Sequence, residues 1–198
     1  KTGCGWVHVN EESHYILPEA DLNDANLYDA KLRYAYLTGA DLSYADLREA
    51  NLGGANLRGA NLYDAKLRYA NLTGANLYDA KLKFANLRDA TLWNADLRGA
   101  ILRYAYLPGA DLSYADLSGA DLYDATLWNA DLKFAILYDA TLRNAKLHDA
   151  SLRGAVLMGA DLSGANLSYA DLWSVKADSR TICPNGIKWG TEGNDCPF

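Results

Sequence analysis

The sequence predicts a solenoid that turns once in every five residues, and three observations carry that prediction. Leucine stands at every fifth position from Leu17 to Leu172 without a break. Alanine keeps the same beat from Ala20 to Ala170. The residue two after each leucine is most often Gly, Asp or Asn, types that tolerate a positive φ or close a turn through the side chain. An α-helix advances about 100° per residue, so a five-residue repeat would smear its leucines over every face. A straight strand alternates with period two and would send successive leucines to opposite sides. The chain must therefore bend within each pentapeptide, keeping Leu and Ala on the axis and three residues outside.

Residues 1–15 precede the register. Gly5-Trp6-Val7-His8-Val9 alternates like a short strand or covering segment, with Trp6 and Tyr15 available to plug the first coil. Residues 16–175 are the repeats, of the form xLxxA, as in Asp41-Leu42-Ser43-Tyr44-Ala45. Asp41, Asp46, Asp111, Asp116 and Asp121 sit between the inward Ala and Leu, where a short polar side chain can bond nearby backbone. At the turn position, Tyr34, Tyr44, Tyr69, Phe84, Tyr104, Tyr114 and Phe134 replace the turn formers, which suggests a second corner geometry without positive φ. An open solenoid exposes strand edges at both ends unless they are covered. Trp173, Val175, Ile182 and Trp189 are available to cover the last coil, Val175 standing where the alanine register stops. The period alone leaves open whether three or four units make one coil.

The tandem A(D/N)Lxx pattern, as in Ala45-Asp46-Leu47, Ala50-Asn51-Leu52 and Ala110-Asp111-Leu112, resembles the pentapeptide-repeat family, and the likeness covers residues 16–175. That resemblance implies an all-β fold, a right-handed quadrilateral parallel β-helix of about eight coils with capped ends. Residues twenty apart would stack, giving a rod of roughly 38 Å. The domains are then an N-terminal cap (1–15), the β-helix (16–175) and a C-terminal cap (176–198).

Stacking by twenty predicts outer ladders. Arg48, Arg68 and Arg88 form one, relieved by Glu49 and Asp89 beside it. Phe84 over Tyr104, flanked by Lys83 and Arg103, and Tyr114 over Phe134 form exposed aromatic pairs. These four rings are the candidate protein-docking residues, against the alternative that they only brace the solenoid. Asn26–Ala40 recurs nearly intact as Asn61–Ala75, and Ile101–Ala110 echoes it again. The thirty-five-residue offset is not a multiple of twenty, so each copy lands on a different side, which argues against one continuous binding stripe.

The 198-residue chain has a formal charge of −6, a pI near 5.0 and no apolar run long enough to span a membrane. It begins at Lys1 without an initiator Met, which suggests removal of an upstream segment. Cys183 and Cys196 bracket a turn-rich loop and are expected to form a disulfide, the alternative being two thiols in a flexible tail. The Ile-Cys-Pro-Asn-Gly tail resembles those of exported cyanobacterial and plastid-lumen members of the family. That implies periplasm or thylakoid lumen. Cys4, at the far end of the rod, is free or pairs with another molecule. With His8 and His14 it matches no standard metal-ligand spacing, so no metal site is expected.

No catalytic constellation is visible. His148 has Asp149 beside it, but neighbouring outward residues at a corner diverge, and no motif places a nucleophile. No phosphate-binding loop occurs, no cofactor is expected, and the acidic balance opposes nucleic-acid binding. The expected role is a non-enzymatic scaffold that holds surface ladders rigidly for an unidentified protein partner, without membrane insertion. It would be a monomer, or a dimer if Cys4 cross-links two copies. The alternative implied by the resemblance is a DNA mimic that binds a type II topoisomerase (gyrase). It fits less well, because Arg and Lys interrupt the negative surface along the rod and the tail lacks the amphipathic dimerising helix of those relatives.

Overall fold

A computed structural model describes residues 19–190 and 196 in full and residues 5–9 and 12–16 as backbone. From Asp21↔Asp41 to Val156↔Lys176, each residue preceding a leucine forms a parallel bridge with the residue twenty further on. With one turn per pentapeptide, four units make one coil. Leu and Ala from Leu27 to Leu167 form one continuous buried core, and most of them are fully inaccessible. A fully buried leucine contributes about 1.5–3 kcal/mol, an upper bound because unfolded chains are partly compact.

The backbone shows why five residues suffice. In the unit 41–45, Asp41 N donates to Ala20 O at 2.9 Å, one coil back. Leu42 N and Tyr44 N donate one coil forward, to Asn61 O (2.7 Å) and Tyr63 O (2.8 Å), and Ala45 N closes the turn onto Leu42 O (3.1 Å). The fifth donor, Ser43 N, bonds Asp41 Oδ1 at 3.0 Å. Asp and Asn before Leu thus complete the donor set of the unit, as an Asx turn does. Asn51, Asn71, Asp96 and Asp171 serve Gly53, Thr73, Arg98 and Trp173 alike. In this unit the residue before Ala, Tyr44, is the one whose carbonyl accepts no bond within the described residues. Because the Ala N–H points inward to Leu O and a trans peptide sets C=O opposite N–H, that carbonyl faces outward.

The corners contradict the expectation of two turn geometries. Every residue at the turn position from Glu19 to Ser174 has positive φ, including Tyr34, Tyr44, Tyr69, Phe84, Tyr104, Tyr114 and Phe134, at 56° to 64°. A turn closed from Ala N to Leu O, with positive φ only at its third residue, is type II. The two ladder bonds and the buried Leu and Ala fix the backbone whatever side chain it carries. They offset a left-handed cost of about 1–2 kcal/mol at each bulky residue.

Before the repeats, β1 (Gly5–Val9) and β2 (Glu12–Ile16) pair antiparallel, with Trp6 opposite Tyr15. The proposed plugging side chains Trp6 and Tyr15, the side chains of His8 and His14, and Cys4 lie outside the described residues. After the repeats, the ladder slips by one residue, and Ile182 pairs in parallel with Asp161. Leu162 N and Gly164 N donate to Ile182 O and Pro184 O. The segment then doubles back, Ile182 opposing Lys188. Cys183 and Cys196 are joined in a disulfide with Cα atoms 5.4 Å apart.

The last coil is not covered as expected. Trp173 is 64% exposed and lies under the Arg153 guanidinium at 4.2 Å. Val175 packs partly on the core, and Ile182 and Trp189 are half-buried. The buried groups are Thr181, Cys183 and Cys196, with Thr181 Oγ1 donating to Leu157 O at 2.9 Å. Thr181 can fill this place because its hydroxyl satisfies an end-coil carbonyl, whereas Trp173, a middle turn residue, is turned outward by its corner.

Candidate interaction surface

Each corner presents two outward side chains per coil, and aromatic residues stack along the rod. Phe84 and Tyr104 are stacked at 5.3 Å with planes 19° apart, and Tyr114 and Phe134 at 5.1 Å and 23°. All four are 40–51% exposed. The first pair belongs to a longer strip. Tyr44 meets Tyr63 edge-on at 5.5 Å, Tyr63 meets Phe84 at 5.6 Å, and Tyr104 meets Tyr123 at 5.7 Å. Sequence reasoning missed Tyr44, Tyr63 and Tyr123 because it compared only positions twenty apart. The two outward residues of a corner are close enough for partners at nineteen and twenty-one as well, as in Tyr44–Tyr63 and Tyr63–Phe84. Trp93 joins Tyr114 by the same rule, at 6.2 Å.

Cations line the first strip. Lys83 Nζ lies 4.9 Å from the Phe84 ring centre, and the Arg103 guanidinium 4.7 Å from that of Tyr123. Arg103 is also 3.6 Å from Asp121. Beside the second strip, Lys133 is bound to Asp131 at 2.6 Å, which raises the lysine's pKa.

The arginine ladder is neutralised differently from expectation. Arg48 forms a two-pronged pair with Asp46, at 2.7 and 2.5 Å, rather than with Glu49. Glu49 instead accepts from the Tyr28 hydroxyl, a contact that raises the tyrosine's pKa. Arg88 pairs with Asp89 at 3.2 Å, and Arg68 lies over the Tyr69 ring at 4.5 Å, donating to its hydroxyl at 2.6 Å. The reason is reach: the residue before Leu and the residue after it leave the same side of the corner. Arg98 repeats the motif on Asp96, so hydrogen bonds from Arg98 and Arg48 hold the Asp96 and Asp46 carboxyls below their usual range. Asp41 is lowered too, first by the Ser43 hydroxyl and then by its N–H.

The duplicated segment shows how local this chemistry is. Arg33 lies over Tyr34 at 4.9 Å and donates to its hydroxyl at 3.0 Å, the same clamp as Arg68 on Tyr69 at another corner. In the third copy Arg103 is 6.0 Å from the Tyr104 centre, because Tyr123 and Asp121 draw it away.

Nothing on this surface assembles a reactive group. His148 is stacked on Trp128 at 5.9 Å with planes 12° apart, a packing contact that its sequence neighbourhood does not reveal. The aspartates that precede a leucine are committed to their own turns, where Oδ1 accepts the N–H two residues on. Among the described residues, no group of His, Cys, Asp and Glu is placed to hold a metal ion, and no helix is long and apolar enough to cross a membrane.

The profile of pentapeptide repeats matches in eight copies, over residues 20–59, 55–94, 94–129 and 135–173. No functionally curated protein is similar enough to match. Among solved structures, HetL, a pentapeptide repeat protein involved in heterocyst differentiation regulation in Nostoc sp. strain PCC 7120, is 37% identical. The alignment covers 87% of this chain and 89% of HetL, with a TM-score of 0.41. QnrB1, a plasmid-mediated fluoroquinolone resistance protein, is 23% identical over 82% of this chain and 90% of its own, with a TM-score of 0.50. A pentapeptide repeat protein of the Arabidopsis thaliana thylakoid lumen is 30% identical over 57% of this chain and 65% of its own, at a TM-score of 0.20. The Leu and Ala spine, the profile match and the identity to HetL together place this chain in the pentapeptide-repeat family.

Proposed function

We propose that this protein is a non-enzymatic scaffold that binds a partner protein through the aromatic strip from Tyr44 to Tyr123, with Tyr114 and Phe134 as a second contact. The observation that carries this reading is the run of half-exposed rings, interleaved with Lys83 and Arg103, on a backbone whose N–H groups are nearly all committed. Such rings are already ordered before a partner arrives, so docking costs little conformational entropy on this side. Aromatic residues and arginine are also the types enriched at interface centres. The coil is read as right-handed and quadrilateral, as in the family, and residues 1–15 and 176–198 as its end caps. The disulfide favours an oxidising extracytoplasmic space, periplasm or thylakoid lumen, in keeping with the lumenal relative.

The alternative, a DNA mimic that binds a type II topoisomerase, draws support from the fold shared with QnrB1. It needs a nearly uniform negative surface. Here guanidinium groups at Arg33, Arg58, Arg68 and Arg153 lie on aromatic rings without a carboxylate partner among the described residues. A photo-crosslinking side chain at position 84 or 104, compared with one at Gly119 on another corner, tests the strip. Adducts at 84 and 104 alone support it, and equal adducts at 119 refute it. Inhibition of gyrase supercoiling that survives Phe84→Ala and Tyr104→Ala would favour the alternative.

A further inference from the structure

On a different corner from the aromatic strip, a cleft of about 450 Å³ opens where Gly53 and Gly74 carry no side chain on two successive coils, while Gly54 lets the Tyr34 ring pack flat against it. Arg33 and Tyr34 wall it on the coil before, and Asn51, Asn71 and Thr73 complete the lining. No acidic residue lines it, although the chain carries 25 Asp and Glu against 19 Lys and Arg.

The polar atoms in the cleft are sorted by the turn chemistry. Asn51 Oδ1 accepts from Gly53 N at 3.1 Å and Asn71 Oδ1 from Thr73 N at 2.9 Å. Both amides are therefore fixed with Nδ2 left over, a pair of donors stacked one coil apart. Arg33 adds a guanidinium that has no carboxylate partner among the described residues and that lies over Tyr34, with one nitrogen on the tyrosine hydroxyl. Lys31, bridged in parallel to Asn51, continues the same column with another cation. The carbonyls of the turn position accept no backbone bond among the described residues. Neither the Gly54 nor the Gly74 carbonyl accepts a bond within the described residues; Gly74 is open around its missing side chain, and the Tyr34 ring packs on Gly54.

We propose that this cleft binds a small hydroxylated organic acid of the uronic acid type. The carboxylate is taken by Arg33 and the Asn51 and Asn71 amides, and ligand hydroxyls donate to the Gly54 and Gly74 carbonyls. The Thr73 hydroxyl accepts or donates as the ligand requires, and the Tyr34 ring borders the ligand's C–H face. The volume falls within the range of small-ligand sites, and a donor-rich wall facing a carbonyl-bearing floor matches a ligand with one charged end and several hydroxyls. A simple inorganic anion would use the donors and leave the carbonyls unpaired.

The test is titration of the full chain with glucuronate, glucose and sulfate, followed by amide NMR. Two variants accompany it. Arg33→Gln removes the charge, and Gly53→Trp fills the cleft at a position with ordinary negative φ, where the same corner two coils on already carries Trp93. Glucuronate is expected to bind with shifts confined to residues 33–34, 51–54 and 71–74, and to bind at least about tenfold more weakly to each variant. Glucose and sulfate should each bind at least about tenfold more weakly than glucuronate. Unchanged thermal unfolding of Gly53→Trp would show that the loss is local. Absence of saturable glucuronate binding by the native protein, equal affinity for sulfate, or binding unaffected by either substitution would overturn the proposal.

Discussion

At the scale of single residues, two positions of the pentapeptide carry separate physical duties. The Asp or Asn before Leu supplies the acceptor for the residue after Leu. In Asp111, Oδ1 takes both Ser113 N, at 2.9 Å, and the Ser113 hydroxyl. Asp111→Ala is expected to lower unfolding free energy by about 1 kcal/mol and Asp111→Asn by less, read by urea titration. The turn position carries strain instead. Tyr169 has φ 61°, is 90% exposed and has no ring or cation partner among the described residues to offset its left-handed backbone. Tyr169→Gly should raise stability by about 0.5–1 kcal/mol after the added entropy of glycine is subtracted, whereas Tyr104→Gly should not, because it breaks a stack. Titration follows from the arginine pairs. Asp46 and Asp96 have folded pKa values below their unfolded ones, so their contribution is fully present above the unfolded value near 4. It is lost as pH falls through the lowered folded values. Arg98→Gln should flatten part of that acid loss in a denaturation series from pH 6 to about 2.

At the scale of the coil, the sequence announced the inside better than the corners. Leu and Ala could be read directly, because no other regular structure tolerates period five. Bulky rings at Tyr34 or Phe84 pointed to a separate turn type because left-handed φ is normally a property of Gly, Asn and Asp. The ladder overrode that preference: Phe84 N is committed to Arg103 O and Ala85 N to Leu82 O, which leaves the corner one geometry. The outer surface was half legible. Stacks at twenty, such as Phe84 on Tyr104, follow from the period. The diagonal contacts of Tyr63 and Tyr123, and the stacking of His148 on Trp128, needed the width of a corner, which no sequence period encodes. The glycine cleft escaped for a further reason: Gly53, Gly54 and Gly74 each look like ordinary turn residues until their coils are superposed. Core truncation should report position along the rod. Leu97→Ala, fully buried, is expected to cost about 2–5 kcal/mol, and Leu22→Ala, in the partly exposed first coil, distinctly less.

At the scale of the molecule, backbone contacts run between adjacent coils, with the Arg180–Asp139 pair at 2.9 Å reaching one coil further, so local stability depends mainly on what lies immediately before and after. The tail pairs with residues 160–164 but leaves Leu167, Tyr169, Leu172 and Ser174 N–H groups without acceptors among the described residues. The Cys183–Cys196 bridge closes a loop with a sequence separation of 13, and closing such a loop contributes about 3 kcal/mol in the chain-entropy account. Reduction should therefore speed hydrogen exchange at Leu162, Gly164 and Ile182 while Leu92 to Leu122 stay protected. Uniform loss of protection along the rod would show instead that the tail governs the entire column.

One consequence reaches beyond stability. Because each pentapeptide seals its own interior seats, inserting or deleting a whole unit leaves the hydrophobic filling intact yet swings everything downstream to the next side of the column. The thirty-five-residue duplication is such a displacement, and it has carried an Arg–Tyr pair to fresh compass points with its internal geometry preserved. Such a lineage can remodel what it shows the outside world by recutting its length, with no new packing problem to solve.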